Sequence, residues 1–193
     1  MSKTMKVITG VSNRHLHLSQ ADVEILFGEG ATLTAIRDLG QPGQYACEEQ
    51  VNLVGPKSTL KNVRVLGPVR KQTQVEVSLT DSFALGVKPP LRDSGDLAGS
   101  AGLTIEGPKG SIVLSEGVIL AKRHVHFSHE EAAVLQIKDK DIITVTVAGE
   151  RALVFDKVLA RVHETFALEF HVDIDEANAA FLKTGDEVII SKE

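Results

Sequence analysis

One six-residue pattern occurs twice in this chain, as Arg14-His15-Leu16-His17-Leu18-Ser19 and Arg123-His124-Val125-His126-Phe127-Ser128. The copies are offset by 124 − 15 = 109 positions and hold four of the seven histidines. Each runs on into an acidic, apolar stretch, Gln20-Ala21-Asp22-Val23-Glu24-Ile25-Leu26 and His129-Glu130-Glu131-Ala132-Ala133-Val134-Leu135. A chain of 193 residues can build one good core or two small ones, and the repeat favours two copies of one small unit.

Strand signals dominate both halves. Val51–Val54, Val63–Leu66, Val75–Ser78, Ser111–Leu114, Ile142–Val147 and Val188–Ile190 are short and rich in β-branched residues. Tight turns such as Gly55-Pro56-Lys57-Ser58 and Gly107-Pro108-Lys109-Gly110 separate them. Short strands with tight turns predict barrels, not a doubly wound sheet, which needs long crossover helices. Ser19 with Asp22, and Ser128 with Glu131, mark helix starts in matching places, and a third helix is expected from Asp175 to Lys183, closed by Gly185. Val87 to Gly102 reads as an ordered loop region. The expected fold is mainly β with short helices: two helix-capped small β-barrel domains related by internal duplication.

The spacing of the histidines is what gives the repeat chemistry. Alternate residues of a strand share a face, so His15 and His17 can converge on one ion while Leu16 packs behind them. A catalytic zinc takes three protein ligands and keeps a fourth position open, so each pair needs a third partner. In the second half His171 fits, on the alternating segment Glu169-Phe170-His171-Val172-Asp173. In the first half the matching segment Gln74-Val75-Glu76-Val77-Ser78 offers Glu76, and both segments lead into an acidic turn. The separations differ, 76 − 17 = 59 against 171 − 126 = 45, and an insertion around Asp38 to Gln50 would absorb the difference. His129 and His163 read as surface residues. Histidine and carboxylate sets of this kind also suit cobalt, nickel or iron, so zinc is a preference only.

Arg70 lies six positions before Glu76. It is either an oxyanion holder, through paired charge-assisted hydrogen bonds, or an exposed arginine in a surface ion pair. Cys47, the single cysteine, sits beside Glu48 and Glu49, which raise a thiol's pKa and make it a poor nucleophile. It allows no intrachain disulfide, which fits a reducing compartment. A net charge of −5 argues against nucleic acid as partner. No apolar run approaches the ~20 residues of a membrane span, and Met1 to Val7 does not read as a signal peptide. A cytoplasmic protein is expected.

The chain resembles the PduL-type phosphate propanoyltransferases, phosphotransacylases associated with bacterial microcompartments, over nearly its whole length. The likeness rests on Gly10-Val11-Ser12-Asn13-Arg14-His15-Leu16-His17-Leu18-Ser19, Gln41-Pro42-Gly43-Gln44-Tyr45-Ala46 and Val54-Gly55-Pro56-Lys57. It continues through Leu66-Gly67-Pro68-Val69-Arg70, Leu91-Arg92-Asp93-Ser94-Gly95, Arg123-His124-Val125-His126 and Asp175-Glu176-Ala177-Asn178. The resemblance implies exchange of acyl-coenzyme A plus phosphate for acyl phosphate plus coenzyme A, with a propionyl or acetyl group. It implies two zinc ions, one held by His15, His17 and Glu76 and the other by His124, His126 and His171. It implies Arg70 as the phosphate-binding residue with Ser94 near the same pocket. It also implies domains of residues 14–121 and of 1–13 with 122–193, the N-terminal strand completing the second barrel.

Two metal sites and no credible nucleophile lead to an expectation of direct transfer at a dinuclear zinc site. The competing readings are a zinc-dependent hydrolase of thioesters or phosphoesters, and a non-catalytic cupin-like metal-binding module. Microcompartment members carry an N-terminal targeting extension, and only 14 residues precede His15 here, so the lumen of such a compartment is a secondary expectation. Exposed strand edges leave a homodimer open.

Overall fold

A computed structural model describes residues 4–192 of the chain. The elements run β1 (Thr4–Ser12), β2 (His15–His17), α1 (Gln20–Phe27), β3 (Ala35–Asp38), β4 (Tyr45–Val54), β5 (Thr59–Gly67), β6 (Gln74–Glu76), α2 (Leu79–Leu85), β7 (Leu91–Arg92), β8 (Ala101–Glu106) and β9 (Ser111–Ala121). They continue as β10 (His124–Phe127), α3 (His129–Leu135), β11 (Ile142–Val147), β12 (Leu153–Val162), β13 (Glu169–Asp173), α4 (Ile174–Ala180) and β14 (Glu187–Ser191). No helix among the described residues is long and apolar enough to cross a membrane.

The chain divides into two compact units. Unit I comprises Asn13–Leu39 and Gly43–Ala121; unit II comprises residues 4–12, Gly40–Pro42 and 122–192. The family resemblance implies a boundary at residue 14 with 40–42 in the first domain; its outermost residues, Met1–Lys3 and Glu193, lie outside the described part.

In unit I, β4, β5, β2, β6, β9 and β8 pair in a closed ring, with β3 added beside β4 and β7 beside β9. In unit II the ring is β1, β13, β10, β12, β11 and β14. The pairing senses agree strand for strand. β2 is parallel to β5 and antiparallel to β6, as β10 is parallel to β12 and antiparallel to β13. β6 is parallel to β9, the last strand of its unit, whereas β13 is parallel to β1 from the start of the chain. Unit II is thus a permuted copy of unit I, closed by the N-terminal strand.

Alternation explains each barrel interior. In β11, Ile143, Val145 and Val147 are buried while Ile142, Thr144 and Thr146 are not. The unit II core gathers Val125, Phe127, Phe170, Val188 and Ile190 around these residues. Leu16, Leu18, Leu53, Val65, Val75 and Ile105 do the same in unit I. Burying a residue of this kind contributes about 1.5–3 kcal/mol.

The helices begin where short polar side chains cap them. The Oγ atoms of Ser19, Ser78 and Ser128 accept hydrogen bonds from the backbone N–H groups of Asp22, Asp81 and Glu131, and an Asp173 carboxylate oxygen accepts from Glu176. Both Gly-Pro-Lys turns of unit I close a helix at its other end: Lys57 N donates to Leu85 O and Lys109 N to Leu26 O, each at 3.0 Å. A Cβ at Gly55 would stand 2.2 Å from Leu85 O and one at Gly107 2.5 Å from Leu26 O, so these close approaches require glycine.

Several local expectations change. The strand read through Ser78 stops at Glu76, because Ser78 caps α2, a helix the sequence reading passed over as a turn. The acidic segment after β13 is likewise the first turn of α4. That helix ends at Ala180 and not Lys183, with Phe181 in the left-handed conformation. The extra length of unit I lies mainly between α1 and β4, where β3 forms, overlapping the start of the segment expected to carry it and beginning about ten residues earlier.

Candidate metal centres and the residues around them

Each unit places four side chains on one face of an antiparallel strand pair. In unit I, His15 faces Glu76 and His17 faces Gln74 across β2 and β6. In unit II, His124 faces His171 and His126 faces Glu169 across β10 and β13. Cross-strand register thus does for each third residue what alternation does for the histidine pair. The donor atoms of His15, His17 and Glu76 lie within 4.8 Å of one another, as do those of His124, His126 and His171.

The rings are oriented by the backbone. His15 Nδ1 lies 2.8 Å from Asn13 O, His124 Nδ1 2.8 Å from Lys122 O, and His17 Nδ1 3.1 Å from Leu66 O. A carbonyl only accepts, so each neutral ring keeps its proton on Nδ1 and leaves the Nε2 lone pair to the site. Burial drives the His17 pKa down to about 3, with Arg70 and His15 adding to the fall. Burial likewise takes His126 to about 2, helped by His124, His171 and Arg161. Phe166 packs on the His126 ring with centroids 4.3 Å apart. Neutral imidazole is the form that binds metal.

Two observations fit a cation at these points. Neither ring nitrogen of buried His126 has a hydrogen-bond partner. Such orphaned atoms are costly unless something absent from a protein-only structure satisfies them. His15 Nε2 and Glu76 Oε2 stand 3.6 Å apart. Two ligands on one tetrahedral zinc, each about 2.0–2.1 Å from it, stand roughly 3.3 Å apart.

Around Glu76 the remaining hydrogen bonds form a short relay. Gln74 Nε2 and Ser94 Oγ both donate to Glu76 Oε1, the latter at 3.0 Å, which leaves Oε2 facing His15. Ser94 Oγ in turn accepts from Gln74 Nε2 at 2.8 Å and from Arg70 Nη1 at 3.2 Å. Gly95 N fixes the amide by donating to Gln74 Oε1 at 2.8 Å. Arg70 and Ser94 therefore meet beside the Glu76 carboxylate. The Arg70 backbone N–H is anchored on Leu18 O at 2.8 Å.

The arginine of each repeat braces its site. Arg14 pairs with Asp81 at 2.7 Å, and Arg123 with Glu176 at 2.5 Å. Both acids stand in the first turn of the helix that follows the third-residue strand, so each pair ties that helix to the His-X-His strand.

Sequence reasoning missed Gln74, Glu169 and Gln41. Gln74 and Glu169 precede Glu76 and His171 by two positions, so the alternation rule already placed them on the same face. Gln41 is different. Its amide donates to Glu169 Oε2 and Ala167 O, each at 2.9 Å, from a three-residue excursion of the chain into unit II that no local pattern announces. His129 and His163 are exposed and belong to neither site. Cys47 is buried, and burial together with Glu49 pushes its thiol up to about 11.

Paired helix-capped barrels, each carrying a histidine-rich quartet with ligand-type geometry, define a duplicated two-barrel protein built around two candidate metal centres. The family model for phosphate propanoyltransferase matches residues 8–183. The phosphate propanoyltransferase of Thermotoga maritima is 60% identical over 191 residues, covering 98% of this chain and 91% of that protein. Those of Rhodopseudomonas palustris and Priestia megaterium are 52% and 50% identical, covering 97% and 99% of this chain and 83% and 90% of theirs. The chain belongs to the phosphate propanoyltransferase family, and is an acyltransferase.

Proposed function

We propose that this enzyme exchanges acyl-coenzyme A plus phosphate for acyl phosphate plus coenzyme A, with propionyl or acetyl as the acyl group, by direct transfer. His15, His17 and Glu76 would hold one zinc and His124, His126 and His171 another, both triads being needed for turnover. Arg70 would bind phosphate, with Ser94 beside it. The observation that carries the reading is the Arg70–Ser94–Glu76 relay: a cation for an oxyanion, one hydroxyl away from a carboxylate with ligand geometry.

The chemistry balances without a covalent enzyme intermediate. A phosphate oxygen attacks the thioester carbonyl carbon, the new C–O bond forms, the C–S bond breaks, and coenzyme A leaves as thiolate. Bound zinc would supply Lewis acidity for the carbonyl and a soft partner for the departing thiolate. The chain's own part is charge and position. Arg70 offsets the repulsion between phosphate and the developing oxyanion and holds the nucleophile oriented. Ser94 can turn its hydroxyl between Glu76 and an incoming phosphate oxygen. The Gln74 amide keeps the Glu76 carboxylate facing His15 while it does so.

Thiol release from propionyl-coenzyme A, measured with and without phosphate, tests this directly. Release that requires phosphate, with stoichiometric acyl phosphate, is expected. Release independent of phosphate would replace the transferase with a zinc-dependent hydrolase. No coenzyme A binding at all would leave a cupin-like binding module. Radiolabelled acyl group retained on the protein after rapid quenching would refute direct transfer.

A further inference from the structure

The two quartets differ in what lies against them. In unit I the neighbours of Glu76 are Gln74 and Ser94, with the Arg70 guanidinium one hydroxyl further. In unit II an aromatic ring lies on the quartet. Phe166, in the 163–168 segment between β12 and β13, packs its ring on that of His126, with centroids 4.3 Å apart and planes 33° apart. His126 and Arg161 are register partners on β10 and β12, so their side chains leave the sheet on one face. The Phe166 ring covers both, the Arg161 guanidinium carbon standing 5.5 Å from its centroid. One ring face is taken up by this pair, and the residue as a whole is only half-buried.

The backbone on either side fixes the ring there. His163 N donates to Phe127 O at 3.0 Å, and Phe166 N donates to His163 O at 3.1 Å, which closes a turn. The Gln41 amide then clasps the next residue from both sides, donating to Ala167 O at 2.9 Å and accepting from Ala167 N at 3.3 Å. A side-chain amide that pairs with the N–H and the C=O of one residue does what a neighbouring strand would do. Phe166 offers carbon alone to an imidazole whose two nitrogens have no hydrogen-bond partner. Its part at the site is therefore to keep water off and to present apolar surface.

We infer that Phe166 is the wall against which the acyl chain of the thioester ends, so that its size sets the longest acyl group the enzyme accepts. The inference rests on the proposed acyl transfer. Of the two substrates, phosphate is charged throughout and belongs with Arg70, whereas the thioester carries an apolar tail. A thioester brought to the side chains of His124, His126 and His171 places its acyl carbons beside the ring that covers His126. One methylene in an apolar pocket changes kcat/KM by roughly 10–200-fold. A ring that stops the chain is therefore enough to separate acetyl and propionyl from longer groups. Pinned at Phe127, His163 and Gln41, it cannot swing aside at little cost to admit them.

The test measures phosphate-dependent thiol release from acetyl-, propionyl-, butyryl- and hexanoyl-coenzyme A by the full-length wild type and Phe166→Ala. The ratio of kcat/KM for butyryl to that for propionyl should rise at least fivefold in Phe166→Ala, and the hexanoyl ratio should rise with it. A residue that served only the fold would change all four substrates alike and leave the ratios fixed. Should Phe166→Ala not fold or not turn over, the same comparison is made with Phe166→Leu by calorimetry, using the unreactive thioethers S-propyl- and S-hexyl-coenzyme A. The affinity ratio of hexyl to propyl should again rise at least fivefold over the wild type. A ratio that falls, or rises by less than fivefold, would overturn the inference and leave the transferase standing. A wild type that releases no thiol in response to phosphate would overturn the proposed function beneath it.

Discussion

The quartet of unit I is His15, His17, Gln74 and Glu76; that of unit II is His124, His126, Glu169 and His171. Each has one carboxylate, but it has moved two residues along the strand, from the position facing the first histidine to the position facing the second. Strand alternation permits this, because a step of two keeps a side chain on the same face. The neighbours changed with it. Glu76 is held by a hydroxyl and an amide that connect it to Arg70, whereas Glu169 is held by Gln41 against glycines. Duplication preserved the frame and the charge of each site while giving one a neighbouring arginine and the other a third imidazole. The difference matches the two halves of the proposed reaction, an oxyanion nucleophile and a soft leaving group.

Stripping metal breaks the comparison most completely. Dialysis against a chelator should remove phosphate-dependent thiol release, a loss above about a thousandfold if Lewis acidity carries several kcal/mol of the barrier. Zinc added back should restore it, and activity that survives metal-free conditions would remove both centres from the mechanism. Arg70→Ala should act on unit I alone. It should lower kcat/KM for phosphate by about 2–4 kcal/mol in transition-state terms, with metal content unchanged. Unchanged phosphate kinetics would end the assignment of Arg70.

The two most buried site histidines give a pH test with a defined sign. His17 and His126 have pKa values depressed to about 3 and about 2, below the ordinary ~6.5 they regain on unfolding. Below that value the unfolded chain binds more protons than the native one, so stability is complete above about pH 6.5 and falls with acidification down to the native values. Each histidine contributes a slope of up to ~1.4 kcal/mol per pH unit. Urea unfolding of the metal-free protein between pH 7 and 5 should show the slope, and His17→Gln should remove one histidine's share. A flat profile would mean that these rings are hydrated.

Much of this was readable from the chain because it is local. The His-X-His strands, the third residues Glu76 and His171, and the caps at Ser19 and Ser128 follow from alternation and short-range capping. The helix α2 escaped notice although Ser78 and Asp81 repeat the capping spacing recognised at Ser19 and Ser128; with strand signals running up to Ser78, the acidic Thr80-Asp81 step reads as a turn instead of the first turn of a helix. Phe181 ends α4 in a left-handed conformation that residue type alone does not announce. Gln41 lay beyond reach because its partner Glu169 is 128 residues away, and only tertiary structure joins them. The closure of unit II by β1 entered through family resemblance, since nothing local says which barrel an N-terminal strand joins.

The arginine braces sharpen the comparison at a smaller scale. Asp81 is only 4% exposed, so Arg14→Ala leaves a buried carboxylate without its cation and should cost about 2 kcal/mol. Glu176 is 24% exposed and its pKa is already raised by burial, so it can take up a proton or water when Arg123 is lost. Arg123→Ala should cost nearer 1 kcal/mol. Equal shifts in denaturation midpoint would show that exposure of the acid does not govern the cost.

The smallest difference lies at the helix starts. In unit II, Ser128 N donates directly to Glu131 Oε2 at 2.9 Å, completing a reciprocal cap. At α1 of unit I the acid is Asp22, one methylene shorter. An acid of that length reaches its cap amide directly in α2, where Ser78 N donates to Asp81 Oδ2 at 3.3 Å. At α1, however, Thr73 stands between them: Ser19 N donates to Thr73 Oγ1 at 2.9 Å, and that hydroxyl donates to Asp22 Oδ2. Thr73 is buried and immediately precedes Gln74, so the start of α1 and the quartet of unit I share one support. Thr73→Val keeps the shape and removes the bridge, leaving a backbone donor without its partner at a cost of about 1 kcal/mol. Asp22→Glu in the Thr73→Val background lengthens the acid to the reach Glu131 has, and should recover most of that loss. If the double variant is no more stable than Thr73→Val, the threonine acts through packing and not as a substitute for the missing methylene.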